Sequence, residues 1–248
     1  MKTIEIVSHC YAERLPHYAA ALCYQLSGFI LHPPRGCKAW VTVCYDPTDG
    51  RTSQVLDWFT RNCTSWDSRS VCCIKLPADK LGRRSIGRNF AAKDSRADLV
   101  WFADVDQVFH GECLDALAAM EWPEQEGRVA SMVFPRHLKI SRDHATGNAL
   151  TAKVLERPAV VDVDPAEFTD KTYNVAIGGV QIIRGVDARR YGYLDGDPYW
   201  QQPRTDGLPF KEFRDDLQFR KICNRRGPIV GIELPGLYRI RHLETTHR

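Results

Sequence analysis

Two aspartates separated by one residue follow a run of apolar residues, and they are the first place where the sequence suggests chemistry. In LVWFADVDQVF, residues 99–109, Asp104 and Asp106 end the apolar run. Alternate side chains of an extended strand leave it on the same face, so the two carboxylates lie close together. Like charges at short distance repel, and burying them without a partner is costly. A cation bound between them would remove the conflict, whereas a solvated strand end that starts a turn would need none.

The same D-x-D spacing occurs twice more, so the motif alone carries little weight. The pair at 195–197 lies in a stretch rich in Gly and Pro that is typical of turns. The pair at 162–164 follows an apolar segment and is a rival. The pair Asp104 and Asp106 ends a strand in the regularly alternating part of the chain, and we favour it for this reason.

The first 110 residues alternate between apolar strands and amphipathic helices. This alternation is typical of an α/β protein with a mostly parallel central sheet and helices on both faces. Ligands of such sheets bind beyond the carboxyl ends of the strands, where the strand order reverses. The polar clusters SHCYAER, DPTDG and DVD each follow a strand, so we expect a site at this edge. Strands are predicted at 3–9, 38–46, 70–76 and 98–106, and helices at 13–26, 52–62 and 86–96.

The chain after residue 111 is less regular. Strands are predicted at 128–135 and 173–185, and a helix at 210–227 with acids in its first half and basic residues in its second. Residues 136–172 are polar and fit no pattern. Neither a linker nor a repeat separates the halves, so we expect a single domain over residues 1–248.

The composition is ordinary for a soluble globular protein. A net charge of +3 is too small to indicate nucleic-acid binding, and the basic pairs Arg83–Arg84 and Arg225–Arg226 suit either a local anion or a solvated face. Nine cysteines without a C-x-x-C pair, several of them in apolar runs, favour a reducing compartment. The sequence shows neither a signal peptide nor an apolar run of membrane-spanning length. We therefore expect a cytoplasmic protein without an integral membrane segment.

The segment LGRRSIGRNFAAKDSRADLVWFADVDQVF resembles the core of nucleotide-sugar glycosyltransferases of the GT-A fold, particularly glycosyltransferase family 2. It has a Gly, an Arg-Asn pair that opens a helix, and a hydrophobic strand that ends in D-x-D. HCYAE keeps Tyr11 and Glu13 of the family's first turn but lacks its Pro and Asn. YDPTDGRT is a shortened form of the second turn. The resemblance is strong over the first 110 residues and looser up to His242.

The resemblance implies a GT-A (Rossmann-like) fold, with a nucleotide-sugar-binding half at about 1–110 and an acceptor-binding, catalytic half at about 111–248. It implies a metal-dependent, inverting glycosyltransferase that moves a sugar from a UDP-sugar, favoured over a GDP-sugar, to a hydroxyl of a glycan, small molecule or modified nucleic acid. The alternatives are a retaining enzyme of the same fold and a catalytically inactive nucleotide-binding relative.

The resemblance also implies a metal site. Mn²⁺ or Mg²⁺ would neutralise the diphosphate leaving group as a Lewis acid, with carboxylate oxygens as ligands. Asp106 is the first ligand that it implies, while Asp104 would contact the ribose and help to place the metal. His242 would complete the site, with His247 as its alternative, or both are simply tail residues.

The donor site that the resemblance implies involves seven residues with different roles. Tyr11 would stack on the nucleobase or is an ordinary strand-end aromatic, and Arg88 would reach the base or diphosphate or pair with Asp94 or Asp98 on a solvated face. The glycine pair would allow a close backbone approach or mark a bulge. The nucleotide-sugar-binding set is Tyr11, Glu13 (ribose or a supporting backbone amide), Asp46 (base N–H), Arg88, Asp104, Gly178 and Gly179.

Catalysis and acceptor binding are implied in the second half. An inverting reaction needs a base for the acceptor hydroxyl, and Asp216 matches the family's catalytic Asp, with Asp215 as the runner-up. Alternatively, both acids only stabilise the helix through their interaction with its dipole. Trp200 and Tyr199 would form a stacking platform for the acceptor, or anchor their loop to the core.

Overall fold

The computed structural model describes residues 1–63, 70–203 and 214–241, which form two mixed sheets, a small two-stranded antiparallel sheet and the helices around them. The helices are α1 (His17–Leu31), α2 (Gly50–Asn62), α3 (Ala78–Leu81), α4 (Arg84–Asp94), α5 (Cys113–Ala119), α6 (His144–Ala152), α7 (Gly185–Tyr191) and α8 (Asp215–Arg226). The strands are β1 (Thr3–His9), β2 (Lys38–Tyr45), β3 (Val71–Lys75), β4 (Leu99–Ala103), β5 (Gln107–Phe109), β6 (Glu124–Gln125), β7 (Arg128–Val129), β8 (Met132–Pro135), β9 (His137–Ser141), β10 (Phe168–Thr172), β11 (Val180–Arg184), β12 (Ile229–Ile232) and β13 (Leu237–Arg239).

The large sheet is mostly parallel, which confirms the predicted α/β architecture. Its strand order is β12-β8-β11-β4-β1-β2-β3, in which β1 to β4 run parallel and β11 is antiparallel to both of its neighbours. The chain adds β2 and β3 on one side of β1 and then crosses to place β4 on the other. The strand order therefore reverses between β1 and β4, and the crevice beyond their carboxyl ends is where ligands of such sheets bind.

The first three predicted strands correspond to β1, β2 and β3, whereas three other predictions need correction. The strand predicted at 98–106 ends at Ala103, so the first D-x-D lies in a turn rather than on the strand. The strand predicted at 128–135 is divided into β7 and β8, and the first helix is shifted.

The helix predicted at 13–26 is α1, which begins after Pro16 and ends at Leu31. Proline is tolerated at the start of a helix and not inside it, which explains the later start. At the other end, Gly28 is a poor helix former, but a Cβ there would come 2.6 Å from the backbone oxygen of Phe109. Close packing of α1 on β5 thus requires a glycine within the helix.

A second, four-stranded sheet of order β10-β9-β13-β5 was not predicted. Its strands β9 and β10, together with α6, lie in the polar region 136–172, which fits no pattern. In β10 the pattern is absent because every residue except Phe168 is exposed. The strand predicted at 173–185 is only β11, which begins just after Gly179. The strand β5 of the small sheet begins one residue after Asp106.

All nine cysteines are free thiols, and seven of them are buried. Burial raises the pKa of Cys10 to about 12, so this thiol is inert near neutral pH. In the ranges described above, no helix is both long and apolar enough to cross a bilayer.

Candidate functional site

The turn that carries the first D-x-D connects the two sheets, and hydrogen bonds to its backbone carbonyl oxygens hold it on both sides. The Gln25 side chain on α1 is fully buried and donates to the Asp104 carbonyl oxygen at 3.1 Å. On the other side, the Ile240 N–H donates to the Asp106 carbonyl oxygen at 2.9 Å. The sequence gives no signal for the role of Gln25, since a glutamine on an apolar helix has no distinctive spacing.

Arginines surround the Asp104 carboxylate. Arg84 Nη1 lies 3.1 Å and Arg88 Nη2 3.6 Å from Oδ1, and Arg239 Nη2 lies 3.9 Å from Oδ2. Burial by itself lowers the pKa of Arg84, but Asp215 and Asp104 raise it well above its usual value, so the guanidinium stays charged. The solvated-face interpretation of the Arg83–Arg84 pair is therefore wrong: Arg83 is buried and Arg84 points into the site.

Arg239 also holds Asp106. Its Nε donates to Asp106 Oδ2 at 3.0 Å, and the carboxylate is almost completely buried. The pKa of Arg239 is raised, chiefly by Asp106. Asp104 and Asp106 offer the oxygen ligands that Mn²⁺ and Mg²⁺ prefer, so their chemistry fits a divalent ion. One guanidinium nevertheless contacts both carboxylates, and an ion that bridged the same two oxygens would have to displace it.

The two acids of α8 occupy different environments. Asp215 is fully buried, 3.8 Å from Arg84 Nη2, and its Oδ1 accepts the Asp216 N–H at 2.9 Å. Within the described residues its Oδ2 has no hydrogen-bond partner. Asp216 is half-buried, and a Cβ added to Gly178 would lie 3.0 Å from its Oδ2. Arg84 therefore links the D-x-D to α8, while the Asp216 carboxylate faces the glycine pair.

Gly178 and Gly179 bring the backbone against both sets of acids. A Cβ at Gly179 would come 2.6 Å from Asp104 Oδ2, closer than real Cβ atoms approach. The Gly178 carbonyl accepts from Arg88 Nη2 at 3.0 Å, and the Gly179 carbonyl accepts from Trp101 Nε1 at 3.2 Å. Any side chain at Gly179 would displace the Asp104 carboxylate. The glycine pair, which lies just before β11, therefore allows the backbone to approach the carboxylates closely.

Arg88 lies beneath the site rather than on a solvated face with Asp94 or Asp98. It is fully buried, and its Nη1 donates to the Tyr193 hydroxyl at 2.9 Å. His9, at the end of β1, was not predicted and is also buried, with neither ring nitrogen hydrogen-bonded in the part of the chain described. Burial, followed by Arg88 and Arg84, holds the pKa of His9 well below its usual value. The ring is thus neutral behind the arginines.

The residues proposed for the nucleoside lie near this edge in three different settings. Tyr11 is buried, its ring centroid is 4.7 Å from that of Tyr18, and its pKa is raised, first by burial. Asp46 accepts from the Thr48 N–H and hydroxyl at 2.8 and 2.7 Å and so caps its own turn. Glu13 is exposed.

The proposed acceptor platform is built on Arg83. Its guanidinium carbon lies 4.7 Å from the Tyr199 ring centroid and 5.5 Å from that of Trp200. The Trp200 carbonyl accepts from the Ser85 hydroxyl at 2.6 Å, which anchors the loop to α4. Tyr199 is 64% exposed and offers a ring face to solvent.

The remaining motif candidates lie elsewhere. His242 and His247 fall outside the described residues. Asp162 contacts His32, and Asp164 caps a short turn through the Ala166 N–H. In the third D-x-D, Asp195 pairs with Lys93 and Asp197 caps the turn at Tyr199.

Solved structures of similar fold include glycosyltransferases. Residues 1–349 of TarS from S. aureus, in complex with UDP-GlcNAc, match with 13% identity and a TM-score of 0.56 over 98% of this chain and 59% of that one. Mannosyltransferase PcManGT from Pyrobaculum calidifontis, in complex with GDP-Man and Mn²⁺, matches with 13% identity and a TM-score of 0.56 over 98% and 58%. Glycosyltransferase GlyE from Streptococcus pneumoniae matches with 10% identity and a TM-score of 0.51 over 98% and 55%.

At these identities the likeness establishes the fold, which is GT-A-like as the sequence resemblance implies. This chain spans less than two thirds of the length of each of these proteins. No family profile matches the chain, and no curated protein matches it.

Proposed function

We propose that this GT-A-like chain is an enzyme, a glycosyltransferase that moves a sugar from a UDP- or GDP-sugar to an acceptor hydroxyl. The observation that carries the proposal is one cluster at the switch point of the sheet. There Asp104 and Asp106, the arginines Arg84 and Arg239, and the Asp216 carboxylate lie together. Structures of this fold in complex with UDP-GlcNAc and with GDP-Man support nucleotide-sugar donors.

The arginines suit a diphosphate. Guanidinium groups bind phosphate oxygens bidentately, and Arg84 and Arg239 are both held charged beside the D-x-D. We propose that Mn²⁺ or Mg²⁺ is the cofactor and that Asp106 and Asp104 hold it, with Arg239 released from these carboxylates. When bound, the ion would neutralise charge that develops on the leaving diphosphate. His242 remains the proposed third ligand.

We assign the base of an inverting reaction to Asp216. Its carboxylate is half-buried and faces Gly178, whereas Asp215 is fully buried beside Arg84 and suits a positioning role. A base must reach the acceptor hydroxyl, which favours the accessible carboxylate. A retaining enzyme would not need this base, and the anomeric configuration of the product separates the two possibilities.

The other residues divide between donor and acceptor. We propose that Tyr11, Glu13 and Asp46 contact the nucleoside and that Arg88 supports the donor through Asp104 and the glycine pair. Exposed Tyr199, with Trp200, would receive a glycan, a small molecule or a modified nucleic acid. We propose that the two halves act as one domain, since Arg84 contacts Asp104 in the first half and Asp215 in the second. We also propose that the protein is cytoplasmic, since its cysteines are free thiols.

Calorimetric titration tests the donor site. UDP and GDP, with and without Mn²⁺, are titrated into the wild type, into Asp106→Asn and into the control Asp164→Asn, which alters the second D-x-D. We expect Mn²⁺-dependent binding of one nucleotide that Asp106→Asn abolishes and Asp164→Asn preserves. Absence of binding by both nucleotides would overturn the proposed function, and equal loss in both variants would overturn the assignment of the motif.

A further inference from the structure

Two imidazoles and a carboxylate from three distant segments converge at the far end of β5 from the D-x-D. His32 follows α1, His110 follows β5, and Asp162 lies in the irregular segment between α6 and β10. One ligand atom from each lies within 4.8 Å of the others. His32 Nε2 is 3.1 and 3.0 Å from the two Asp162 oxygens, and the two imidazole centroids are 3.8 Å apart. Over the residues that the structure describes, this is the one group of three or more such ligands.

We propose that His32, His110 and Asp162 form a transition-metal site, with Zn²⁺ as the preferred ion. Imidazole nitrogen and carboxylate oxygen are ligands that Zn²⁺ accepts, and three protein ligands leave a fourth position for water. Ligand atoms at the usual zinc distances lie roughly 3.4 Å apart in a tetrahedron. The separation of 3.0 Å between His32 Nε2 and Asp162 Oδ2 is close to this value, and all three ligand atoms lie within 4.8 Å of one another.

A hydrogen bond between His32 and Asp162 does not explain why His110 lies beside them. His110 contacts the His32 ring, and two protonated imidazoles at this distance would repel each other. The groups that face His110 are His32, Asp162, Lys139 and the Tyr238 ring. A shared cation explains why the two rings and the carboxylate come together.

The backbone around the three ligands holds them in place. The His32 N–H donates to the Gly28 carbonyl at 2.9 Å, the His110 N–H to the Gly236 carbonyl at 2.8 Å, and Asp162 Oδ1 accepts the Val163 N–H at 2.8 Å. The Val163 N–H contact is of the kind that orients a ligating carboxylate, while the other two contacts fix the backbone that carries the imidazoles.

A bound ion would fasten the irregular segment between α6 and β10 to α1 and to β5. The same segment is attached a second time where the Val161 N–H donates to the Ser27 hydroxyl at 3.0 Å. Metal binding at this site does not depend on the proposed function.

Co²⁺ tests the site because its visible absorption bands report imidazole ligation and coordination number. The ion is titrated into metal-stripped wild-type protein and into His110→Ala, with Asp162→Asn as a second variant that alters only an exposed side chain. We expect one Co²⁺ per chain, displaced by Zn²⁺. Loss of an outer-shell partner alone weakens metal binding about 10- to 100-fold, so each ligand variant should weaken it more than about 100-fold.

Two control variants locate the ion. His137→Ala removes an exposed imidazole that contacts Thr172 and Glu233, and Asp106→Asn removes the D-x-D ligand. Both should retain the Co²⁺ spectrum and affinity. Failure of the wild type to bind Co²⁺ and Zn²⁺, unchanged affinity in Asp162→Asn, or loss of binding in Asp106→Asn would each overturn the proposal. None of these results bears on whether the chain binds a nucleotide.

Discussion

Replacement of Arg239 by glutamine should tighten Mn²⁺ binding to the D-x-D in the absence of nucleotide. The guanidinium lies 3.0 Å from Asp106 Oδ2 and 3.9 Å from Asp104 Oδ2, so it contacts one oxygen of each carboxylate. An ion that binds the same two oxygens must first separate Arg239 from them. The variant removes the competing positive charge and keeps a polar side chain of similar length.

The expected gain follows from the strength of the contact that is lost. A hydrogen bond to a charged group contributes about 1.5–3 kcal/mol, and every 1.4 kcal/mol changes an equilibrium about tenfold. Mn²⁺ should therefore bind about 10- to 100-fold more tightly to Arg239→Gln. This gain in Mn²⁺ affinity is an upper limit, because Arg84 and Arg88 still contact Asp104. The free variant should also be less stable by about 1–3 kcal/mol, since a buried carboxylate loses its partner, and Mn²⁺ should restore this stability.

The loss of the electron paramagnetic resonance signal of free Mn²⁺ measures the affinity directly. The wild type, Arg239→Gln and the control Arg241→Gln are compared, because Arg241 lies two residues away and its guanidinium contacts the Arg142 carbonyl instead. The double variant Arg239→Gln, Asp106→Asn should lose the gain. If Arg239→Gln binds Mn²⁺ no more tightly than the wild type, the guanidinium does not compete with the ion and the reasoning fails.

Three further predictions concern the glycine pair, the base and a buried imidazole. Gly179→Ala should weaken nucleotide binding more than tenfold, because its Cβ would come 2.6 Å from the nearest D-x-D carboxylate, whereas Gly196→Ala, with open space around it, should not; calorimetry decides. Asp216→Asn should lower the transfer rate about 100-fold or more with little change in donor affinity, and an unchanged rate would remove it as the base. His9 has a pKa well below 6.5, so its stability contribution is complete above pH 6.5 and falls as the unfolded state takes up the proton. Denaturant unfolding between pH 7 and 5 should show a slope of up to about 1.4 kcal/mol per pH unit that His9→Gln reduces and the control His137→Gln retains.

The half of the fold in which strands and helices alternate is predictable, because burial of the sheet on both faces produces a recognisable pattern in the sequence. β4 is completely buried and its sequence, LVWFA, is a continuous apolar run, while the almost equally buried β1 keeps three of its seven positions apolar between polar ones. The small sheet produces no such pattern. β10 is exposed at four of its five residues and β13 has only three residues, so tertiary contacts rather than local pattern determine these strands.

The acids of the candidate site, and Arg88 through the resemblance, were predicted from the sequence, whereas the contacts of Arg84 and Arg239 were not. D-x-D spacing after an apolar strand singles out Asp104 and Asp106, and a glycine pair indicates a close approach. Arg84 and Arg239 have no distinctive spacing, since a basic residue on a helix or a short strand is usually solvated. The one available signal at Arg239 is the alternation R-I-R, in which Ile240 is buried and the flanking arginines must face the other way.

The position of the D-x-D between the two sheets has a mechanical consequence. β4 of the large sheet ends at Ala103 and β5 of the small one begins at Gln107, so Asp104, Val105 and Asp106 are the whole connection between these two strands. Any sliding of one sheet against the other changes the separation of the two carboxylates directly. Substitutions in β9 or β10, far along the small sheet, can therefore alter the separation of Asp104 and Asp106 without touching either residue.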